Sequence, residues 1–266
     1  MRPDQDSRTA FVQALVSRML SAQGLDRRGA EILTDAFRSN GHRPLRWQQP
    51  TRYYPGLEAR PWHDPASFDW TDGLCEAFPL IREEALTLQR EGRFALNPLS
   101  ADLADGTWNE FRFYTEGRAN DENLATCPHT AATLQNIPGA ASAGLAYFSA
   151  IGPKSHVRPH CGPHNARLRC QLGLVAPPGC KMRVGDDTRS WEPGAAVVFD
   201  DSFEHEVWND SDQTRIVLIV DVWHPELTPE QAVAIRYSEM ALIGVAYEVA
   251  ESWARTGTIA MPEGVL

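Results

Sequence analysis

Between Arg167 and Leu172 polar and apolar residues alternate without a break: Arg167, Leu168, Arg169, Cys170, Gln171, Leu172. Side chains of an extended strand point alternately to its two faces, so the segment reads as a strand with two guanidinium groups and an amide on one side. Leu168, Cys170, Leu172 and Leu174 take the other side. A charged face is normally solvated. It can instead line the interior of a β-barrel, where polar ligands bind. Trp108–Tyr114 alternates in the same way, and Leu145–Ile151, Arg167–Ala176, Lys181–Val184, Ala195–Phe199 and Arg215–Val222 are further strand candidates. Pro177-Pro178-Gly179, Gly185-Asp186-Asp187, Pro193-Gly194 and Asn209-Asp210-Ser211-Asp212 supply the turns. Many short strands at this spacing predict a mainly β chain of jelly-roll type with flanking helices.

Before Gly106 the pattern is helical. Phe11, Leu15, Met19 and Leu20 recur at helical spacing and Ala30 to Phe37 resumes it, which predicts helix from about Ser7 to Arg38. Gly41 to Pro65, rich in Pro, Arg, Trp and Tyr, suits an irregular wrap over a core. A second helix is expected from Trp70 to Gln89, with Leu74, Phe78, Ile81 and Leu86 inward. Thr228-Pro229-Glu230-Gln231 opens a last helix to about Trp253: the threonine caps, the proline fits the first turn and the acid complements the dipole. The expected organisation is an N-terminal helical segment over 1–45, a β domain over 46–227, and a C-terminal helix over 228–266 packed on it.

A formal net charge of -10 argues against nucleic acid or an anionic membrane surface as partner. No apolar run approaches the roughly 20 residues needed to span a bilayer. Met1-Arg2-Pro3-Asp4-Gln5-Asp6 lacks the charged-then-apolar pattern of a secretory signal, so a cytoplasmic location is expected. The five cysteines (Cys75, Cys127, Cys161, Cys170, Cys180) are scattered and form no C-x-x-C pair, which suggests neither a disulfide framework nor a structural zinc site.

Two segments carry the chemistry. His156, His160 and His164 precede the Arg167 strand, and His205 follows Asp200 and Asp201. Each segment is followed by a strand arginine, Arg167 or Arg169 in the first case and Arg215 in the second. Imidazoles that hold a divalent iron, and guanidinium groups that hold an acidic cosubstrate, are what a metal-centred oxygenase needs. Spacing alone does not say which of the three clustered histidines would face a metal. The paired aspartates suit a turn or cap as readily as a ligand. Arg215 heads Ile216-Val217-Leu218-Ile219-Val220, apolar on both faces and so a central buried strand. It either meets an anionic ligand or sits at the rim beside a loop acid such as Asp212. His42, His63 and His129, in turn-rich surroundings, read as satisfied polar residues.

The stretch from Ser155 to Thr228 resembles the aspartyl/asparaginyl β-hydroxylase family of 2-oxoglutarate-dependent oxygenases. His156-x-x-x-His160-x-Gly162-Pro163, the Arg167-x-Arg169 strand, Phe199-Asp200-Asp201-Ser202-Phe203-Glu204-His205-Glu206-Val207-Trp208, Arg215, and Asp221-Val222-Trp223-His224-Pro225-Glu226-Leu227-Thr228-Pro229 stand in family order. Weaker similarity reaches back through Tyr54-Pro55-Gly56-Leu57 and Trp108 to Asn123, so the likeness covers about residues 50–235. The resemblance implies a double-stranded β-helix, a cupin-like jelly roll, with iron(II) held by His160 and His205. His156 is then no ligand, and Gly162 stands where most related oxygenases carry a third, acidic ligand. It further implies that Ser149 and Arg215 hold the distal carboxylate of 2-oxoglutarate, with Arg169 near its metal-binding end. Gln171 replaces a cosubstrate-contacting histidine. Arg167 keeps a substrate-facing arginine for an acidic or amide group, while Tyr147 replaces a substrate-facing lysine. Leu124 and Ala131 replace a disulfide pair, which fits a reducing compartment.

The reaction implied is dioxygen-dependent hydroxylation of an unactivated C–H bond, foremost the β-carbon of an Asp or Asn residue in a peptide. The alternative is a free amino acid or small acid in natural-product biosynthesis, and behind both stands a non-catalytic jelly-roll binder. Neither nucleic acid nor membrane is an expected partner.

Overall fold

The computed structural model describes residues 45–239 together with Ser21 and Glu31, so the expected first helix, and the last helix beyond residue 239, lie outside the described residues. Arg43–Thr51 with Glu58–His224 forms one compact unit; Met1–His42, Arg52–Leu57 and Pro225–Leu266 form another.

The described part of the first unit contains β1 (Trp62–His63), β2 (Ala95–Leu96), β3 (Ala104–Asp105), β4 (Trp108–Thr115) and β5 (Arg118–Ala119). Eight strands follow: β6 (Leu145–Ile151), β7 (Ser155–His160), β8 (Arg167–Val175), β9 (Cys180–Val184), β10 (Asp187–Arg189), β11 (Ala196–Phe199), β12 (His205–Asn209) and β13 (Arg215–Trp223). They pair in two sheets, ordered β11-β8-β13-β6 in the larger and β10-β9-β12-β7 in the smaller. β1 extends the larger sheet beyond β11, β4 and β2 extend it beyond β6, and β3 extends the smaller sheet beyond β7. Every pairing is antiparallel, and the chain passes repeatedly from one sheet to the other. That winding is a double-stranded β-helix, the jelly roll expected from the strand spacing.

Alternation divides the larger sheet between two cores. Ala146, Phe148, Leu168, Cys170, Leu172, Leu218 and Val220 pack in one core with Leu74, Ile81, Ala85 and Leu88 of the helices. Burying each leucine or phenylalanine there stabilises by about 1.5–3 kcal/mol relative to exposure. The alternate residues Tyr147, Ile151, Val217 and Ile219 share the second core with Val157, Met182, Val184 and Val207 of the smaller sheet. One face of each strand therefore anchors the sheet, which leaves polar residues on the other face to be held rigidly.

The helices are α1 (Thr71–Glu76), α2 (Phe78–Arg90), α3 (Ser100–Leu103), α4 (Asp121–Thr126) and α5 (Pro128–Gln135). The single helix expected from Trp70 to Gln89 is thus two, broken at Ala77. Pro79 lacks an N–H and is tolerated in the first turn of a helix, where α2 places it. Ala85 and Leu88 take the inward face with Ile81, and the expected Leu86 is only half-buried.

In the second unit residues 229–239 are helical. Thr228 Oγ1 accepts from the N–H of Gln231 at 3.3 Å, the cap that the sequence suggested, and Gln231 Oε1 accepts in return from the N–H of Thr228 at 3.0 Å. Among the described residues no helix is long and apolar enough to cross a membrane.

Candidate active site

Register gathers the predicted residues on the inner face of the larger sheet. Val217 lies opposite Ser149 on β6, and Ile219 lies between Tyr147 on β6 and Gln171 on β8. Asp221 is opposite Arg169, and Trp223 is opposite Arg167. Arg167, Arg169, Gln171, Ser149, Tyr147 and Arg215 are all buried, so the polar face of β8 is not solvated.

The histidines come from the smaller sheet. His205 starts β12 and pairs with His160 at the end of β7. Val207 pairs with Val157, so two steps along β12 correspond to three along β7, a bulge that falls at Arg158 and Pro159. Proline has no N–H to offer a ladder and is tolerated at such a bulge. Val157 belongs to the inner core, and strict alternation from it would turn His160 outward. The extra residue turns it inward, and the imidazole centroids of His160 and His205 lie 4.2 Å apart.

Each ring is held by its own chain. Nδ1 of His160 meets the carbonyl of Arg158 at 2.8 Å and Nδ1 of His205 meets the carbonyl of Phe203 at 2.9 Å. A carbonyl only accepts, so both Nδ1 atoms carry the proton and both Nε2 lone pairs are left for a metal. Burial lowers the proton affinity of both rings, and the Arg169 guanidinium lowers it further. They are neutral at neutral pH, as ligation requires. Among the described residues no group of three or more His, Cys, Asp or Glu side chains is arranged to hold a metal ion.

Asp201 explains the space at Gly162. A Cβ on Gly162 would lie 2.4 Å from the Asp201 carboxyl carbon, and the Gly162 N–H donates to the Asp201 carbonyl at 2.6 Å. The carboxylate of Asp201 is fully buried, 3.2 Å from Nη2 of Arg169, and neither oxygen has a hydrogen-bond donor among the described residues. Its neighbour Asp200 is the turn residue: Oδ1 accepts from the N–H of Ser202 at 2.9 Å, and Gln48 donates to Oδ2 at 3.2 Å. The sequence marked the two aspartates alike, and only the fold separates them.

At the far end of the inner face Arg215 is 1% exposed. Nη1 reaches Ser149 Oγ at 3.4 Å, Nη2 reaches Gln171 Oε1 at 3.3 Å, and the guanidinium stacks 4.1 Å over the ring of Trp191. Nε has no hydrogen bond, and no carboxylate pairs with the group among the described residues. Asp212 pairs instead with Lys154, so the rim alternative for Arg215 does not hold. Burial pushes the guanidinium down to about 10, still charged at neutral pH. Trp191 Nε1 donates to Gln171 Oε1 at 3.0 Å and Trp108 Nε1 donates to Ser149 Oγ at 3.1 Å, which locks both partners in place.

The other two arginines are paired. Arg169 donates from Nε and Nη2 to the two oxygens of Asp221 at 2.7 and 3.1 Å. Arg167 lies 3.4 Å from both Asp221 and Glu116 and 3.6 Å from Asp201. Burial pushes the Asp221 carboxyl up, but Arg167 and Arg169 outweigh it and hold the group below its ordinary range. Glu116 was not singled out from sequence: it belongs to the β4–β5 hairpin, within the stretch of weaker similarity, and nothing local marks it as a site residue. Tyr147 is buried, which pushes its phenol up, and it pairs in register with Arg112 of β4.

The remaining histidines are elsewhere engaged. His156 meets Glu206 at 3.0 Å and stacks on Trp208 at 5.1 Å, while Nδ1 of His164 accepts from the N–H of Ala166 at 3.3 Å. His63, read from sequence as a satisfied polar residue, is buried in β1 with no hydrogen bond at Nε2 among the described residues, and its proton affinity is lowered to about 4, chiefly by burial.

The chain is similar to several known proteins. The chain is 40% identical over 198 residues to the human aspartyl/asparaginyl beta-hydroxylase, covering 72% of this chain and 26% of that protein, so it spans about a quarter of that relative's length. It is 35% identical over 189 residues to the ornithine lipid ester-linked acyl 2-hydroxylase of Rhizobium tropici, covering 68% of this chain and 66% of that one. A solved Pseudomonas putida prolyl-4-hydroxylase superposes with a TM-score of 0.35 at 19% identity, over 55% of this chain and 86% of that chain. A family model described as Aspartyl/Asparaginyl beta-hydroxylase matches residues 76–225, which span the helices α2 to α5 and the strands β2 to β13. The chain belongs to the aspartyl/asparaginyl beta-hydroxylase family.

Proposed function

We propose that this hydroxylase depends on iron(II) and 2-oxoglutarate and acts on the β-carbon of an Asp or Asn residue in a peptide. The observation that carries the reading is Arg215: a buried guanidinium with no carboxylate partner among the described residues, on the inner side of a jelly roll whose other sheet carries two neutral imidazoles with open Nε2 atoms. A buried cation is costly until an anion reaches it. This donor set fits the proposed group. His160 and His205 would hold the iron, and Arg215 with Ser149 would take the distal carboxylate of 2-oxoglutarate. Gln171 would brace that arginine, and Arg169 would stand near the metal-binding end. When bound, iron and the keto acid supply the oxidising power that places one oxygen atom of dioxygen on an unactivated carbon, as 2-oxoglutarate becomes succinate and carbon dioxide.

The protein's own part is orientation and charge. The carbonyls of Arg158 and Phe203 fix the imidazole tautomers, so no proton has to leave before a metal binds. Trp108, Trp191 and Tyr147 exclude water from the inner face. Arg167 orients the substrate's polar group. The test is succinate formation. Protein purified without oxygen, then given iron(II), 2-oxoglutarate and dioxygen, should form succinate faster with an Asn- or Asp-containing peptide than without one. Free amino acids make the parallel panel. His160→Ala and His205→Ala should abolish turnover and His156→Ala should retain it; undiminished turnover in either of the first two would overturn the assignment.

A further inference from the structure

We propose that Glu116, acting with Arg167, makes the substrate pocket select a primary amide over a carboxylate. The inference rests on the hydroxylase reading above and goes beyond it, because that reading treats Asp and Asn alike. Its basis is the charge around Arg167. This guanidinium is 4% exposed and is shared by Glu116, Asp221 and Asp201. Asp221 is committed to Arg169 by two hydrogen bonds. Arg167, Arg169 and Arg215 are three buried cations, and Asp201, Asp221 and Glu116 are three carboxylates facing the first two. Glu110 and Arg112, the next pair on the same face, neutralise each other. Iron(II) and a dianionic keto acid bring equal and opposite charge, so the filled pocket is balanced before substrate arrives.

A substrate carboxylate would add an uncompensated negative charge to a site already holding three. Burying an unpaired charge costs far more than burying an amide that finds partners. A primary amide offers both a carbonyl acceptor and an N–H₂ donor. Nε of Arg167 is buried and has no acceptor among the described residues, so it can meet the carbonyl. Glu116, whose side chain is 30% exposed, reaches Arg167 through Oε1 only and can accept from the N–H₂ group.

The backbone at Glu116 supports a functional role independently. Thr115 pairs with Arg118, which leaves Glu116 and Gly117 as a two-residue turn with φ of 47° and 80°. Glycine, asparagine and aspartate suit such a turn; glutamate at positive φ is uncommon and strained. The Glu116 N–H donates to the carbonyl of Gly144 at 2.8 Å, which fixes the turn to the chain just before β6.

The test uses the full chain loaded with manganese(II), which binds such donors without oxidising substrate, and saturated with 2-oxoglutarate. Dissociation constants are measured for capped peptides that differ only by Asn or Asp, and for the two free amino acids. The Asn member should bind at least about tenfold tighter, about 1.4 kcal/mol. Glu116→Gln removes the competing charge, so the Asp member should gain about tenfold and the preference should collapse. Glu116→Asn, better suited to positive φ, serves if the first variant folds poorly. An unchanged Asn-to-Asp ratio in the variants, or loss of both ligands in parallel, overturns the inference. So does an equal or better affinity of wild type for Asp, or failure of every ligand to bind. Calorimetry of 2-oxoglutarate with the wild-type metal-loaded protein separates the two readings: if the keto acid does not bind, the hydroxylase reading itself fails.

Discussion

Arg215 is unusual because its neighbours among the described residues supply a hydroxyl, an amide and an indole face but no anion. Each charge-assisted bond to an incoming carboxylate is worth about 1.5–3 kcal/mol. The same guanidinium costs free energy in the unliganded fold. Arg215→Met should therefore weaken 2-oxoglutarate binding by at least about tenfold while leaving the melting temperature of the unliganded protein unchanged or higher. Calorimetric titration and thermal denaturation of the two proteins check both halves. Lower stability with intact keto-acid affinity would make Arg215 a structural residue. The sequence could mark Arg215 as the head of a buried strand, but rim and interior looked equally reasonable there. Burial decides it, and burial is a property of the packed sheets. Asp201 and Glu116 show the opposite case: neither had a local signal that set it apart, because each acquires its neighbours through contacts across the fold.

The strands themselves were legible because their two faces differ so sharply. Leu145–Ile151 matches the expected span, and the other predicted strands shift by only one or two residues at an end. β7 was not anticipated as a strand, and its bulge cannot be read from composition, although it decides that His160 faces inward. The helix break at Ala77 was missed for a related reason: apolar periodicity runs through it, and only Pro79 marks a new first turn. At the other end of β12, Asn209 reads from sequence as the first residue of a turn, but it is the last paired residue of the strand and the bend follows it. Its amide nitrogen reaches the carbonyls of Ile151, Gly152 and Gln213 at 3.0, 2.8 and 2.8 Å. Its Oδ1 accepts from the N–H and hydroxyl of Ser211 and from the Cys180 thiol. One side chain thus ties together the ends of β6, β9 and β12 and the approach to β13. Asn209→Ala should leave several buried groups unpaired and cost about 3 kcal/mol. Urea denaturation should show that loss as a lower midpoint with an unchanged slope.

Across the molecule, the pH dependence of stability should carry the signature of Asp200. Burial pushes this carboxyl up to about 7, against hydrogen bonds from Ser202 and Gln48 that favour the charged form. Its ordinary value is 3.8, so between those values the folded protein keeps a proton that the unfolded chain has released. Stability from this group is therefore greatest below about pH 4 and falls as pH rises toward 7. Asp200→Asn removes the titration and keeps an acceptor for the Ser202 N–H; Gln48 Oε1, unpartnered in the wild type, can take the new amide donor. The stability difference between variant and wild type should grow in the variant's favour across that window, by on the order of 2–4 kcal/mol. A difference independent of pH in chemical denaturation would place the Asp200 carboxyl in its ordinary range. The β4–β5 turn has a consequence of another kind. Its two residues lie beyond the last paired position on either side, so replacing them leaves the register of every strand intact. Arg215 heads a strand whose other face is locked in packing, and the two histidines belong to strands paired with each other. If Glu116 sets the choice of substrate as proposed, a lineage with this architecture could exchange its clientele through single codons at the hairpin tip, while the paired strands that carry the histidines and Arg215 pass unaltered from ancestor to descendant.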